Sequence, residues 1–311
     1  MINNTKYCLL TNDVETTSIW HNNLNDKTGF KVYSEGMPIL LDLYKKHQVK
    51  STFYFTGYIA KLIPDVVKMI IDDGHEVGCH GLSHKKEDGF DVMPLEKQID
   101  HLTKSKHILE DISNQQVISF RAPALRVNND TVVALLESGF MIDSSVASQR
   151  FDMFMSFGGA KKLNWLTAPR LPYTTSKTNI FKSGDSKLVE VPLSATLLPY
   201  LGTTMRIFPF LTSIQKRILN IETNFNNKPI VFDIHPNEFI DESNEKRHLN
   251  RRSSNLFSFI LQDLIRGKLK VKNLGLPAIS LYENEITYFK NKNYKFITVK
   301  EYCSIHNLIN E

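Results

Sequence analysis

The segment His75-Glu-Val-Gly-Cys-His80-Gly-Leu-Ser-His84 contains a short strand followed by two histidines four residues apart. On a helical turn, side chains four residues apart point to the same side, so we expect His80 and His84 to face the same way. Two imidazoles in that arrangement can bind one metal ion. The pair therefore predicts a metal site at the end of a strand, although two structural histidines would also have this spacing.

A second polar group, Thr11-Asn-Asp13-Val-Glu15, ends the first predicted strand. Residues two apart in an extended chain share a face, so the two carboxylates point the same way. Neighbouring carboxylates repel unless a cation or a proton lies between them. A metal bound by Glu15 and the two histidines would remove that repulsion and leave Asp13 to take a proton from water. Asp13 is also a candidate metal ligand, and a solvated strand end is the structural alternative.

Two further strand ends carry charged side chains. Arg121 lies in Phe120-Arg-Ala-Pro123, where its guanidinium can hold a carboxylate through two N–H groups. His235 closes an apolar strand, and the pKa of histidine near neutrality suits a general acid. Each residue taken alone is as well explained by a surface arginine before a turn or by a structural histidine.

Strands and helices alternate along the chain, which is typical of an α/β fold with a parallel sheet. The predicted strands are residues 7–10, 51–56, 75–78, 117–121, 141–143, 188–191, 229–234 and 296–299. The predicted helices are residues 35–47, 59–73, 95–112, 130–138 and 255–267. All four polar groups fall where strands end, which is where α/β folds place their sites.

Two segments interrupt this alternation. Residues 148–187 are rich in Gly, Ser, Thr and Lys, and residues 194–219 are apolar and interrupted by proline. Long insertions in a compact domain are often lids or binding loops. We therefore predict one domain over residues 1–311, with a lid or substrate-recognition insertion at about 147–225. The apolar part of this insertion is also a candidate for transient contact with a membrane surface.

Composition narrows the class of protein. The chain has 311 residues and a net charge of +5, but its basic residues are scattered and no nucleic-acid-binding motif is present, so nucleic acid is not an expected partner. Three cysteines are too few for a disulfide framework. The sequence has neither a signal-peptide pattern nor an apolar run of membrane-spanning length. We expect a cytoplasmic protein, with a peripheral position at the inner membrane surface as the alternative, and the oligomeric state is left open.

Together, and in this order, these motifs resemble the polysaccharide deacetylase family, the NodB-homology fold of carbohydrate esterase family 4. The resemblance covers most of residues 6–300 and also includes Asp143-Ser-Ser and Ile234-His235-Pro236. It implies an irregular (β/α)7 barrel. Many members have two adjacent aspartates in the first motif, the second of which binds the metal, whereas this chain has Asp-Val-Glu.

The resemblance also implies a role for each matched residue. The catalytic residues would be Asp13 as the base, Arg121 as the group that orients it, His235 as the general acid and Asp143 as the residue that tunes His235. The metal ligands would be Glu15, His80 and His84. The cofactor would be a divalent metal, Zn²⁺ first, with Co²⁺, Ni²⁺, Mn²⁺ and Fe²⁺ fitting the same ligands.

The implied activity is metal-assisted hydrolysis of the N-acetyl or N-formyl group of an amino sugar. Because no secretion signal is visible, we expect a nucleotide- or lipid-linked intermediate of cell-surface glycan synthesis as the substrate. Two alternatives stay open. One is a small-molecule hydrolase of cyclic imides or ureides, similar to an allantoinase, and the other is a non-catalytic glycan-binding module.

Overall fold

The computed structural model describes residues 5–150, 159–247, 260 and 264–309. In this part of the chain, seven parallel strands form one continuous sheet. Their order is β11 (Ile230–Ile234), β1 (Lys6–Val14), β4 (Ser51–Phe55), β5 (Glu76–Cys79), β6 (Ser119–Phe120), β7 (Ile142–Asp143) and β10 (Val189–Glu190). After β10 the backbone returns to β11, where the Ser194 N–H donates to the Val231 carbonyl and Leu201 pairs with Asp233. The predicted irregular α/β barrel is confirmed.

Five further strands complete the sheet structure. They are β2 (Thr17–Ser18), β3 (Asn23–Leu24), β8 (Tyr173–Ser176), β9 (Asn179–Ser183) and β12 (Tyr294–Phe296). Strands β8 and β9 pair with each other, and β8 runs antiparallel to β10. Strand β12 lies beside the first residues of β1, and β2 and β3 form a separate two-stranded ribbon.

Helices lie between the strands. They are α1 (Asp26–Lys31), α2 (Met37–His47), α3 (Gly57–Leu62), α4 (Asp65–Lys68), α5 (Leu95–Ser113), α6 (Thr131–Glu137), α7 (Gly202–Ile207), α8 (Pro209–Asn226), α9 (Arg266–Lys270), α10 (Leu276–Asn291) and α11 (Val299–Ile305). A single π turn, Val32–Gly36, joins α1 to α2. Among the described helices, none is both long enough and apolar enough to cross a bilayer.

Strand β1 is the centre of the core because it has parallel neighbours on both sides. All of its residues except Lys6 are buried, as is usual for a strand of a parallel sheet that helices cover. Its buried Asn12 donates to Ser51 Oγ at 2.6 Å and accepts from the Tyr44 hydroxyl at 2.7 Å. Buried polar groups are stable only when they are hydrogen-bonded, so these contacts fix β1 against β4 and α2.

Two of the predicted elements are wrong in detail. The predicted helix 59–73 is two short helices, α3 and α4, because Pro64 between them has no N–H with which to continue the first. The predicted last strand, 296–299, ends at Phe296, and Val299 already begins α11, whose first turn is capped by the Thr298 hydroxyl. The predicted helix 255–267 lies mostly outside the described residues.

Residues 147–225, which were predicted as an insertion, contain more regular secondary structure than that prediction implies. It contains β8 to β10 and the helices α7 and α8, and β10 is itself a strand of the barrel. Residues 151–158 lie outside the described part of the chain. The role of this range as a lid or recognition element stays a prediction.

Candidate active site

Parallel pairing brings the four predicted groups together at one end of the barrel. Asp13 is near the end of β1, His80 directly follows β5, Arg121 directly follows β6, and His235 directly follows β11. The register aligns the strand ends, because Asn12 lies opposite Ile234 and Val14 lies opposite Phe55. The carboxyl ends of these strands therefore supply one site, as is usual in α/β barrels.

Glu15, His80 and His84 form the first group of candidate ligands. One ligand atom from each residue lies within 4.8 Å of the other two. The His84 Nε2 and Glu15 Oε2 atoms are 3.2 Å apart, and the Thr17 hydroxyl donates to the same carboxylate oxygen. Two imidazoles and one carboxylate are a donor set that Zn²⁺ and similar ions prefer.

The state of His80 fits a metal ligand. Its Nδ1 lies 2.8 Å from the Arg121 carbonyl oxygen, which can only accept, so Nδ1 carries the proton. Burial, together with the neighbouring His84, lowers the pKa of His80 to about 3, so the ring is neutral. Its Nε2 is buried and has no hydrogen-bond partner within the described residues. A neutral imidazole whose second nitrogen is fixed by a backbone carbonyl is the usual form of a metal-bound histidine.

The two histidines approach each other through a loop and not through the predicted helical turn. No regular structure is assigned to residues 80–84, and Gly81 has a positive φ of 69°. The Gly57 and Tyr58 N–H groups at the start of α3 donate to the Gly81 and Leu82 carbonyls. These bonds hold the loop, so that the His80 and His84 ring centroids are 5.7 Å apart.

Arg121 is fully buried and joins two carboxylates. Its NH1 is 2.7 Å from Asp233 Oδ1 and 3.1 Å from Asp13 Oδ1. Its Nε and NH2 donate to the carbonyl and hydroxyl oxygens of Ser144. Although burial opposes the charge, the two carboxylates raise the pKa of Arg121. The guanidinium therefore stays charged and fixes the orientation of Asp13.

Asp13 has one oxygen bound and one available. Oδ1 accepts from Arg121, whereas Oδ2 lies 3.5 Å from His80 Nε2 and 3.9 Å from His235 Nε2. Burial raises the pKa of Asp13, and the positive charges of Arg121 and His235 oppose that rise. Burial and the nearby Asp13 raise the pKa of Asp233 to about 7. Asp13 is thus a buried carboxylate whose second oxygen faces the ligand group.

His235 stands opposite this carboxylate. Its Nδ1 lies 3.2 Å from Glu238 Oε1, and its Nε2 lies 4.0 Å from Glu15 Oε1. Burial alone would lower the pKa of His235, but the bond to Glu238 and the charges of Asp233 and Asp13 raise it to about 10. The ring is therefore positively charged at neutral pH. Its Nε2–H points toward the carboxylates, as a proton donor to bound substrate requires.

Asp143 is the residue predicted to tune His235, but its side chain contacts other residues. Asp143 accepts a hydrogen bond from the Ser145 hydroxyl at 2.6 Å, and its carboxyl group lies beside that of Glu190 of β10. The acidic side chains that orient and charge His235 are Glu238 and Asp233. The role of Asp143 in tuning His235 stays a prediction. Asp143 is on β7, and four strands lie between β7 and β11 in the sheet order.

Sequence reasoning missed three residues of this site. Asp233 precedes His235 by two, the same spacing as in Asp13-Val-Glu15, and this repeat is a signal that the sequence does contain. Glu238 forms a buried ion pair with Arg206 of α7. Burial alone would raise the pKa of Glu238, but Arg206 and His235 lower it to about 2. The two partners are 32 residues apart, so no local pattern reveals the pair.

The site opens into a cavity of about 530 Å³ that extends from the strand ends to α7 and α9. Apolar side chains line part of the cavity, and they are Leu24, Leu125, Leu198, Leu201, Ile207 and Phe208. Basic side chains also line the cavity, and they are Lys85, Lys86, Arg126, Arg150 and Lys270. A cavity with carboxylates and imidazoles at its base, and with cations and apolar side chains at its walls, is chemically suited to a large substrate that is partly anionic.

Part of this chain resembles a known family of proteins. Residues 14–142 match the family model for polysaccharide deacetylase, so the predicted resemblance to this family is confirmed. A peptidoglycan deacetylase of Helicobacter pylori is 34% identical over 116 residues, which are 37% of this chain and 39% of that protein. A peptidoglycan-N-acetylglucosamine deacetylase of Bacillus cereus is 31% identical over 108 residues, 35% of this chain and 38% of that protein. The chain thus spans well under half the length of these curated relatives.

Solved structures show the same fold over nearly the whole chain. A Mycobacterium smegmatis protein assigned to the polysaccharide deacetylases superposes with a TM-score of 0.64 at 17% identity. The match covers 100% of this chain and 94% of that protein. The Puue allantoinase superposes with a TM-score of 0.60 at 13% identity. The match covers 97% of this chain and 88% of that protein. At these identities the likeness establishes the deacetylase-type barrel and nothing finer.

Proposed function

We propose that this chain is a metal-dependent hydrolase that removes an N-acetyl or N-formyl group from an amino sugar. The observation that carries the proposal is the arrangement of Glu15, His80 and His84 as one ligand group, with Asp13 and His235 beside it in the same cavity. The family match supports a deacetylase. The three ligands leave open positions for water and substrate, as a catalytic metal site requires.

Glu15, His80 and His84 would bind the ion, and Zn²⁺ suits this donor set best, with Co²⁺, Ni²⁺, Mn²⁺ or Fe²⁺ as alternatives. Such an ion, when bound, lowers the pKa of water and polarises the acyl carbonyl group. The neutral state of His80 and its unpartnered Nε2 are the features of this chain that support the assignment.

The remaining residues move the protons. Asp13 accepts a proton from the attacking water through Oδ2, since Oδ1 is occupied by Arg121. His235 carries a proton on Nε2 and donates it to the nitrogen of the leaving amino sugar. Glu238 keeps the other ring nitrogen of His235 protonated and fixes the orientation of the ring. A base and an acid placed on opposite sides of the reacting bond typically contribute about 10²–10⁴-fold each to the rate.

The walls of the cavity support a substrate larger than a simple amide. A nucleotide- or lipid-linked sugar carries a phosphate next to the sugar, and this phosphate would meet the basic side chains at the wall, among them Arg126 and Lys270. A cyclic ureide offers neither the size to fill about 530 Å³ nor the anionic group. We therefore place the ureide hydrolase second to the sugar deacetylase.

The test is the release of acetate and formate from a panel of N-acetyl and N-formyl amino sugars, supplied free, nucleotide-linked and polyprenyl-phosphate-linked. The enzyme is compared after chelator treatment and after reloading with Zn²⁺, and allantoin is included as the ureide. We expect metal-dependent release, highest with a phosphate-linked sugar. Hydrolysis of allantoin without release from any sugar would replace the proposal with the ureide reaction, and no hydrolysis by metal-loaded protein would reject catalysis.

A further inference from the structure

Helix α8 buries a mainly polar face and exposes an apolar one. The residues it buries against the barrel are Thr212, Gln215, Lys216, Leu219 and Thr223. Most of the large side chains that it exposes are apolar, and Arg217 is exposed among them. Together with the adjoining Phe208, the exposed apolar residues are Phe208, Phe210, Leu211, Ile214, Ile218, Ile221 and Phe225. A surface helix of a globular domain ordinarily buries its apolar stripe and exposes its polar one.

The exposed apolar residues form one continuous stripe. From Leu211 to Phe225 they recur at spacings of three and four residues, which places them on one side of the helix. The exposure of the stripe is extensive, reaching 67% for Ile221 and 91% for Phe225. At 1.5 Å per residue the helix is about 27 Å long. Contiguous exposed apolar surface of this extent marks an interaction site.

The buried polar face shows that this orientation of α8 is specified. Lys216 donates to Glu285 at 2.8 Å, and Gln215 donates to the Leu198 carbonyl at 2.7 Å. The Thr223 hydroxyl donates to the Lys228 carbonyl at 2.8 Å. Rotating the helix to bury the stripe would break these buried hydrogen bonds. The same bonds therefore keep the stripe exposed.

The stripe starts at the mouth of the catalytic cavity. Phe208 belongs to both, since it lines the cavity and is 39% exposed, and Ile207 and Leu198 line the same wall. Basic side chains, among them Lys85 and Lys270, line this cavity as well. An apolar helix face that adjoins a group of cations is the pattern by which peripheral proteins bind anionic lipid.

We propose that the chain docks on an anionic lipid surface through the exposed face of α8, with the cavity mouth at that surface. The proposal deepens the proposed deacetylase function, on which it rests for its substrate, by choosing the lipid-linked sugar over the nucleotide-linked one. The apolar side chains enter the lipid, the basic residues meet the head groups, and a sugar on a lipid phosphate reaches the cavity past Phe208. A protein partner seated on the same stripe would lie against the cavity mouth and would bring no substrate.

The test is flotation of the full chain with vesicles of phosphatidylcholine, alone or mixed with phosphatidylglycerol. We expect binding to the mixed vesicles and at least tenfold weaker binding by Ile221→Glu and Phe225→Glu. Neither residue lines the cavity, so both variants should release acetate from a water-soluble acetamido sugar at the wild-type rate. The matched control is Ile305→Glu, an exposed apolar residue of α11, which should bind vesicles as the wild type does.

Two outcomes would overturn the docking proposal. One is wild-type vesicle binding by Phe225→Glu, or no binding by the wild type. The other is a lipid-free dimer that Phe225→Glu dissociates, which would make the stripe an interface between two copies of the chain. Because flotation needs neither metal nor turnover, failure of docking with intact acetate release rejects only this inference. Docking without any release rejects the proposed catalytic function instead.

Discussion

Two pairs of buried carboxyl groups lie at the carboxyl ends of the strands, and they differ in the groups that surround them. Asp13 and Asp233 share the Arg121 guanidinium, and both lie close to His235. Asp143 and Glu190 meet only neutral donors among the described residues, the Ser145 hydroxyl and the Val146 N–H. The first pair lies in the cavity, whereas the second joins β7 to β10.

This difference decides the chemical state of each pair. Burial raises the pKa of every one of the four groups. The charges of Arg121 and His235 oppose the rise at Asp13. Arg121 also opposes the rise at Asp143 and Glu190, but there the neighbouring Asp143 carboxyl raises the pKa of Glu190 further. Burial and the Asp143 carboxyl thus favour the protonated form of Glu190, whereas the charges of Arg121 and His235 favour the ionised form of Asp13. Carboxyl groups thus lie beside two cations at the candidate site, whereas the second pair of carboxyl groups joins two strands.

The largest expected difference between the two pairs is in activity. Asp13→Asn removes the proposed base, so acetate release should fall by about 10²–10⁴-fold. Glu190→Gln keeps a neutral hydrogen-bonding group in the second pair and should stay within a few-fold of the wild type. The comparison is made with both variants loaded with the same metal. Equal activity in Asp13→Asn and the wild type would remove Asp13 from the mechanism.

The next effect is on stability. Arg121→Met leaves Asp13 and Asp233 buried without their cation, and breaking a buried charge pair in this way costs about 3–5 kcal/mol of unfolding free energy. Urea denaturation of the metal-free protein measures the loss. The control is Lys177→Met, which removes the exposed ion pair with Asp185 and should leave stability unchanged. Equal stability of the two variants would show that Arg121 does not offset the negative charge of the buried carboxylates.

The third effect is a dependence of stability on pH that belongs to the second pair. The unfolded chain releases the Glu190 proton near pH 4.3, the ordinary pKa of about 4.3 for glutamate, whereas the folded chain keeps it. Above that pH the native state binds more protons, so wild-type stability falls as pH rises, by up to about 1.4 kcal/mol per pH unit. Glu190→Gln has no such proton and lacks this slope.

This pH effect is measured by urea denaturation of both proteins from about pH 5 to about pH 8. The stability of Glu190→Gln relative to the wild type should increase across this range. A difference that does not change with pH would mean that Glu190 is already ionised in the folded protein.

The sequence predicts the parts of this structure that depend on local patterns. The end of β1, with Asp13 and Glu15, and the strand before His80 follow from apolar runs that end in polar residues. The convergence of strand ends follows from the parallel topology. For this reason the sequence places the candidate ligands and Arg121 at neighbouring strand ends, even though it predicts a helical turn for the loop at Gly81, where φ is positive.

The parts that sequence reasoning could not reach depend on distant partners. Arg206 reaches Glu238 only when α7 packs beside β11, and Glu190 meets Asp143 only through the pairing of β10 with β7. Helix α8 was not predicted, because its apolar residues are exposed and its buried face is polar. Periodicity identifies a helical face but assumes that the apolar face is the buried one.

The most direct test of the central claim is calorimetric titration of Zn²⁺ into chelator-treated protein, compared for the wild type, Glu15→Gln and Asp233→Asn. Glu15 belongs to the group with His80 and His84, whereas Asp233 belongs to a second carboxylate group with Asp13 and His235. We predict one ion per chain in the wild type and in Asp233→Asn, with binding to Glu15→Gln at least tenfold weaker. No binding by the wild type, or equal binding by Glu15→Gln, would contradict the assignment of this group as the catalytic metal site.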